Sequence, residues 1–260
     1  MNKIDKLFSE KNKNILSVYF TAGFPNLEDT VPTIDQLIAN SADLIEIGIP
    51  FSDPLADGPT IQQSSQRALE NGMSIRVLFQ QLEKMEKTET PLILMSYLNP
   101  ILQYGIGKFC EKAFRLGISG LIVPDLPLPE FLTDHKLLFE QNGLKNIFLI
   151  TPQTTEERIR MIDDCSDSFI YMVASGSTTG SRNGISAEQE AYFNRIREMK
   201  LKNPVLAGFG ISDHKSFNKV CEYANGAIIG SAFIEAVGKG GQGKAITEFI
   251  NSILQKEILQ

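Results

Sequence analysis

Residues 44–62, with the sequence LIEIGIPFSDPLADGPTIQ, combine a strand, a loop and the beginning of a helix. Residues 44–50 are almost wholly apolar, as in a parallel strand that is covered on both faces. Pro59 suits the first turn of a helix, which we expect to continue to about residue 71, with Gly72 as its stop. The stretch therefore predicts one strand-loop-helix unit of an α/β protein.

Glu46 stands in the middle of this apolar strand. Because side chains alternate along a strand, Leu44, Glu46 and Gly48 share one face. A buried carboxyl group is costly unless it is paired or used, and burial raises its pKa, which makes it a candidate proton donor. A purely structural or interface carboxylate is the alternative. The loop that follows, with Asp53, Asp57 and three prolines, favours a shaped site.

The rest of the chain repeats the same unit. Seven further apolar segments, each followed by a helical pattern, are expected to be strands: 15–23, 91–97, 120–125, 146–151, 169–175, 204–210 and 226–231. This alternation implies parallel strands with right-handed crossovers. Eight units in about 250 residues predict one (β/α)8 TIM barrel domain spanning residues 1–260, with a lead-in helix at about 3–11.

An open, doubly wound sheet is the competing architecture. Such a sheet normally carries G-x-G-x-x-G after its first strand when it binds a nucleotide. Here the first strand ends in Thr-Ala-Gly-Phe-Pro at residues 21–25. The barrel is therefore the favoured fold.

Composition narrows the possible functions. The chain has 260 residues and a formal net charge of -6, which argues against nucleic acid or an anionic membrane as the main partner. Three widely spaced cysteines fit reduced thiols in a cytoplasmic protein, and neither a signal peptide nor a membrane span is expected. His135 and His214 lie in polar helical stretches and are expected at the surface. No metal site and no Ser-His-Asp arrangement is predicted.

The carboxyl ends of the strands are where barrel active sites lie. Besides Glu46 and its loop, these ends offer polar and aromatic candidates: Tyr19, Thr21, Tyr97, Asn99, Asp125 and Tyr171.

The last two strands end in the glycine-rich sequences GFGIS, at residues 208–212, and GSA, at residues 230–232. Open backbone amides, together with a short helix at 232–237 capped by Ser231, would form an anion site. This is the usual phosphate position of TIM barrels. The alternative is that these glycines merely permit tight turns.

The segment at about 175–186 has no apolar face to bury. A loop of this kind over a barrel mouth commonly acts as a lid. Thr179 and Gly180 follow the preceding strand closely enough in the sequence that we expect them to reach a ligand. The alternative is a surface loop without a role.

Together these motifs resemble the tryptophan synthase alpha subunit family. The matches are residues 44–62, TAGFP at 21–25, MSYLNPI at 95–101, GLIVPDLPLPE at 120–130, GFGIS and GSAFIE at 230–235, and they cover nearly the whole chain. The resemblance implies a TIM barrel that cleaves indole-3-glycerol phosphate to indole and glyceraldehyde 3-phosphate, with no metal or cofactor of its own. It also implies a cytoplasmic alpha2-beta2 heterotetramer with a beta subunit that carries pyridoxal phosphate.

The resemblance assigns Glu46 and Asp57 as the catalytic pair. Thr179 is expected to meet Asp57 when the lid closes, although the sequence before Gly180 departs from the usual G-V-T-G. The expected substrate-binding residues are Tyr19, Tyr97, Tyr171, Thr179, Gly180, Phe209, Gly210, Gly230 and Ser231.

Three other functions remain open at this point. A pentose-phosphate isomerase or epimerase would commonly need a pair of bases of other types or metal-ligating histidines, and neither of the two histidines is expected at a strand end. A non-catalytic barrel could activate a beta subunit without cleaving substrate. A stand-alone lyase would release free indole, whereas the loop at 51–58 and the Asn99-Pro100 turn are where the resemblance places a partner interface.

Overall fold

The computed structural model describes residues 1–54, 57–173, 186–208, 210–240 and 242–255. The strands are β1 Ile15–Thr21, β2 Leu44–Gly48, β3 Leu92–Met95, β4 Ile118–Ile122, β5 Lys145–Ile147, β6 Leu149–Ile150, β7 Ile170–Val173, β8 Val205–Gly208 and β9 Gly226–Ile229. The helices are α1 Lys3–Glu10, α2 Thr30–Ala39, α3 Pro59–Glu70, α4 Ile75–Leu82, α5 Leu98–Tyr104, α6 Ile106–Arg115, α7 Leu128–Glu130, α8 Lys136–Gln141, α9 Glu156–Cys165, α10 Ala187–Glu198, α11 His214–Cys221, α12 Ser231–Gly240 and α13 Gln242–Leu254.

The strands form one parallel sheet in the order β5-β4-β3-β2-β1-β9-β8-β7-β6. Its two end strands, β5 and β6, follow each other in the chain and are separated only by Phe148, so the chain itself completes the ring. Counted as one interrupted strand, they make eight barrel strands in the described part of the chain. The predicted (β/α)8 TIM barrel is therefore confirmed.

Alternate residues of each strand face two different cores. Ile45 and Ile47 pack outward in the large cluster between the strands and the helices. Leu44, by contrast, packs inward in a second cluster that fills the barrel. Helix α1 covers the amino end of this inner core, where the tilted rings of Phe8 and Phe169 pack with centroids 5.7 Å apart. Because α1 covers the amino end, a substrate-binding site is expected at the carboxyl end of the barrel.

Most predicted boundaries agree with the structure within a few residues, but helix α5 was not predicted. The Asn99-Pro100 pair suggested a turn, whereas both residues lie in the first turn of α5. Proline is tolerated there because its missing N–H has no helical partner to lose. The Asp125 carboxylate accepts the Leu98 amide at 2.8 Å, so this helix start depends on a residue 27 positions away.

The prediction that both histidines lie at the surface holds only in part, because both side chains are half-buried. The His135 side chain is only 12% exposed, and His214 Nδ1 lies 2.6 Å from the Ile253 carbonyl oxygen. Among the described residues, no cluster of three or more His, Cys, Asp or Glu side chains is arranged to hold a metal ion. Within the same residues, no helix has the length and apolar character needed to cross a membrane.

Candidate active site

Glu46 lies inside the barrel with no exposed surface. Its Oε1 accepts a hydrogen bond from the Ser17 hydroxyl at 2.6 Å, and its buried Oε2 has no hydrogen-bond partner among the described residues. Burial raises the pKa of the carboxyl group to about 7, against the smaller opposing effect of the Ser17 hydrogen bond. At neutral pH this group therefore keeps a large fraction of its proton, as the sequence predicted.

Two tyrosines pack over glycines at strand ends to shape the space around Glu46. A side chain on Gly48 would place its Cβ 2.1 Å from the Tyr19 hydroxyl oxygen, and a Cβ on Gly208 would lie 2.3 Å from the Tyr171 ring. Burial raises the pKa of both phenols, and the charges of Glu46 and Asp57 add to this effect. Both phenols therefore stay neutral and can donate hydrogen bonds into the site.

We expect Gly48→Ala to lower the catalytic activity of this site and to lower the free energy of unfolding by about 1–3 kcal/mol, the usual range for overpacking. The added methyl group would force Tyr19 out of its position. Steady-state kinetics and urea unfolding measure the two effects. Gly243→Ala is the matched control, since its Cβ would meet nothing within 4 Å. Equal activity in both variants would contradict the role given to Tyr19.

Asp57 lies on the loop after β2, half-buried at the same mouth of the barrel. The Tyr97 hydroxyl donates to its Oδ2 at 3.2 Å, and the Gln62 side-chain amide donates to its backbone carbonyl at 2.8 Å. Burial raises the pKa of Asp57, and the hydrogen bond from Tyr97 partly offsets this shift. The Tyr97 ring packs on Phe51 with centroids 5.2 Å apart, which holds the hydroxyl in place.

The predicted phosphate residues follow two neighbouring strands. Gly210 comes two residues after β8 and is exposed, and Gly230 directly follows β9, which pairs with β8. The expectation that Ser231 caps the helix was wrong by one residue, because α12 begins at Ser231 and Gly230 accepts its first hydrogen bond, from the Ile234 amide at 3.0 Å. A Cβ on Gly230 would lie 3.3 Å from the Tyr19 ring, so the helix start adjoins the site.

Some predicted residues cannot be placed. Phe209, Thr179 and Gly180 lie outside the described residues, as does nearly all of the predicted lid. Only its last residue, Ser186, is described, where its hydroxyl caps α10.

Ser17 was missed by the sequence analysis. Strand alternation places it on the same face as Tyr19, but its partner depends on the register between β1 and β2. In the structure Ser17 lies opposite Leu44 and Tyr19 opposite Glu46. A polar residue in an otherwise apolar strand was the only available signal.

The family model for the tryptophan synthase alpha chain matches residues 6–258. This chain belongs to the tryptophan synthase alpha chain family. The tryptophan synthase alpha chain of Flavobacterium johnsoniae is 56% identical over 254 residues, covering 97% of this chain and 100% of that relative. The corresponding protein of Parabacteroides distasonis is 46% identical over 257 residues, covering 98% and 100%.

Solved structures of the alpha chain family share the fold. The tryptophan synthase alpha chain of Legionella pneumophila has a TM-score of 0.86 at 34% identity, covering 98% of this chain and 97% of that one. A chain of the Pyrococcus furiosus tryptophan synthase complex has a TM-score of 0.84 at 32% identity, covering 94% and 99%.

Proposed function

We propose that this chain, as a single barrel domain, carries out the alpha reaction of tryptophan synthase with Glu46 and Asp57 as its catalytic pair. The alpha subunit cleaves indole-3-glycerol phosphate to indole and glyceraldehyde 3-phosphate. The observation that carries the assignment of residues is the fully buried Glu46 carboxyl group, whose pKa is raised to about 7 beside a second carboxylate at the barrel mouth.

Glu46 acts first as an acid and then as a base. Indole is a poor leaving group until its C3 carbon is protonated, and Glu46 supplies that proton. The bond between C3 and the hydroxylated carbon then breaks, and its electron pair returns to the ring. The hydroxyl group becomes the aldehyde as its proton passes to the Glu46 carboxylate, which restores the acid. General acid–base catalysis of this kind contributes roughly 10²–10⁴-fold in rate.

Asp57 is proposed to accept the indole N–H and to stabilise the positive charge that develops on the ring. Tyr97 holds the Asp57 carboxylate by the 3.2 Å hydrogen bond. Two carboxyl groups in different environments thereby take separate roles. Tyr19 and Tyr171 enclose the ring, while Gly210, Gly230 and Ser231 bind the phosphate and fix the substrate relative to both acids. Thr179, Gly180 and Phe209 complete the site as the family resemblance implies.

We also propose a cytoplasmic alpha2-beta2 complex, in which the beta subunit supplies pyridoxal phosphate and joins the indole to serine. The alpha chain itself is proposed to need no cofactor. The similarity to a chain of a solved tryptophan synthase complex from Pyrococcus furiosus supports the proposal that this chain acts within a complex. The loop at 51–58 and the start of α5 at the barrel mouth are the proposed contact regions.

The test is indole release from indole-3-glycerol phosphate, measured with and without an added beta subunit. We expect slow release that rises sharply with the partner, together with a larger particle in size-exclusion chromatography. Fast release that ignores the partner would indicate a stand-alone lyase. No release with normal stimulation of the beta subunit would indicate a non-catalytic barrel and contradict the proposed chemistry.

A further inference from the structure

Ser17 lies beneath the candidate active site rather than in it. Its side chain is fully buried in the barrel interior, on β1 beside the strand that carries Glu46. Its hydroxyl group donates to Glu46 Oε1 at 2.6 Å. Ser17 therefore reaches the chemistry only through this carboxyl group, as a positioning residue does.

The hydrogen bond makes the two carboxyl oxygens of Glu46 different. Oε1 is occupied as an acceptor, and a proton on Oε1 would compete with the Ser17 hydroxyl for the same space. The buried Oε2 has no hydrogen-bond partner among the described residues. A buried polar atom without a hydrogen-bond partner lowers the stability of the fold unless a ligand or a proton interacts with it.

We infer that Ser17 is a positioning residue that fixes Oε1 of Glu46 as the acceptor and leaves Oε2 as the oxygen that carries and delivers the catalytic proton. This inference rests on the proposed function, in which Glu46 protonates C3 of the indole ring. Because one oxygen is held, the acid presents its proton in one orientation rather than two, and orientation of this kind contributes directly to the rate.

The Ser17 hydrogen bond also limits the rise in the pKa of Glu46. Burial raises the pKa of the carboxyl group, and the hydrogen bond lowers it, because the donor stabilises the charged form. Among the described residues, the other titratable groups at the site are Tyr19 from β1, Tyr171 from β7, Asp57 from the loop after β2, and Tyr97, which donates to Asp57. Burial raises the pKa values of Tyr19 and Tyr171 further above neutral pH, so we assign the alkaline limb of the pH-activity profile to Glu46.

Three variants separate positioning from a merely structural role. Ser17→Ala removes the donor, and Ser17→Thr keeps a hydroxyl group. Ser168→Ala is the matched control, because Ser168 is also buried but its hydroxyl has no hydrogen-bond partner among the described residues. Thermal unfolding confirms that each variant folds.

We expect Ser17→Ala to lower kcat by about tenfold, in line with the loss of a hydrogen bond to a charged group, with KM changed less than about twofold. The alkaline limb of its pH-activity profile should move to higher pH, because the hydrogen bond no longer opposes the effect of burial on the Glu46 pKa. Ser17→Thr should recover most of kcat, and Ser168→Ala should match the unmodified protein. An unchanged kcat and pH profile in Ser17→Ala would overturn the inference. Equal losses of kcat in both Ser17 variants, with no shift of the alkaline limb of the pH profile, would also overturn it.

A second readout does not depend on turnover. Carbon-13 NMR of protein labelled at the glutamate carboxyl groups follows Glu46 directly, with Glu46→Gln identifying its signal. The titration of Glu46 should move to higher pH in Ser17→Ala, and an unchanged titration would overturn the inference. Absence of indole release by the unmodified protein, even with a beta subunit, would contradict the proposed function, and the NMR comparison would still decide whether Ser17 controls the acid.

Discussion

Glu46→Gln is expected to lower kcat for indole release by roughly 10²–10⁴-fold, because it removes the group that we propose donates and then recovers the catalytic proton. Glutamine has nearly the same shape, and its side-chain oxygen can still accept the Ser17 hydroxyl, so the barrel should remain intact. Indole formation in the presence of a beta subunit measures the loss, and circular dichroism checks the fold.

The control for this variant is Glu198→Gln, which makes the same chemical change on the exposed end of α10. It should keep full activity. Indole release by Glu46→Gln at the rate of this control would remove Glu46 from the mechanism. Substrate binding should largely survive in Glu46→Gln, since the proposed phosphate contacts lie on the loops after β8 and β9.

Glu46→Gln should also stabilise the protein at alkaline pH. In the folded protein the pKa of Glu46 is raised to about 7 from an ordinary value of 4.5. Between these values the unfolded chain releases the proton that the folded chain retains, so the free energy of unfolding falls as pH rises. Each pKa unit corresponds to about 1.4 kcal/mol, and the full effect above pH 7 is about 3 kcal/mol. Glutamine never ionises and avoids this loss.

Urea unfolding of both proteins at pH 4 and pH 8 tests this expectation. The variant should match the unmodified protein at pH 4 and exceed it by about 3 kcal/mol at pH 8. Raised pKa values elsewhere, such as that of Asp57, are present in both proteins and cancel in the comparison. The same difference in stability at both pH values would mean that Glu46 ionises normally in the folded protein.

The barrel could be predicted because its determinants are local. Runs of apolar residues, glycine stops and proline at a helix start all act within a few residues, and Gly72, with a φ of 92°, ends α3 as expected. Helix α5 was not predictable in the same way, since its first amide is held by Asp125 from the loop after β4. The break between β5 and β6 at Phe148 likewise has no local signal in the sequence.

In the candidate site, too, the residues with a local signal in the sequence were predictable and the contacts that depend on the fold were not. Glu46 was predictable because a carboxylate in an apolar strand is unusual, and Asp57 because it follows in the same loop. The contact from Ser17 to Glu46 and the packing of Tyr19 on Gly48 depend on strand register, which the sequence does not specify. The roles of Thr179, Gly180 and Phe209 stay predictions.

The measurement that tests the central claim most directly is the titration of the Glu46 carboxyl carbon by NMR in the folded protein. The account predicts one glutamate signal that titrates near pH 7 and disappears in Glu46→Gln. A Glu46 signal that titrates near its ordinary value of 4.5 would mean that the group is ionised at neutral pH. It could then not serve as the acid that releases indole.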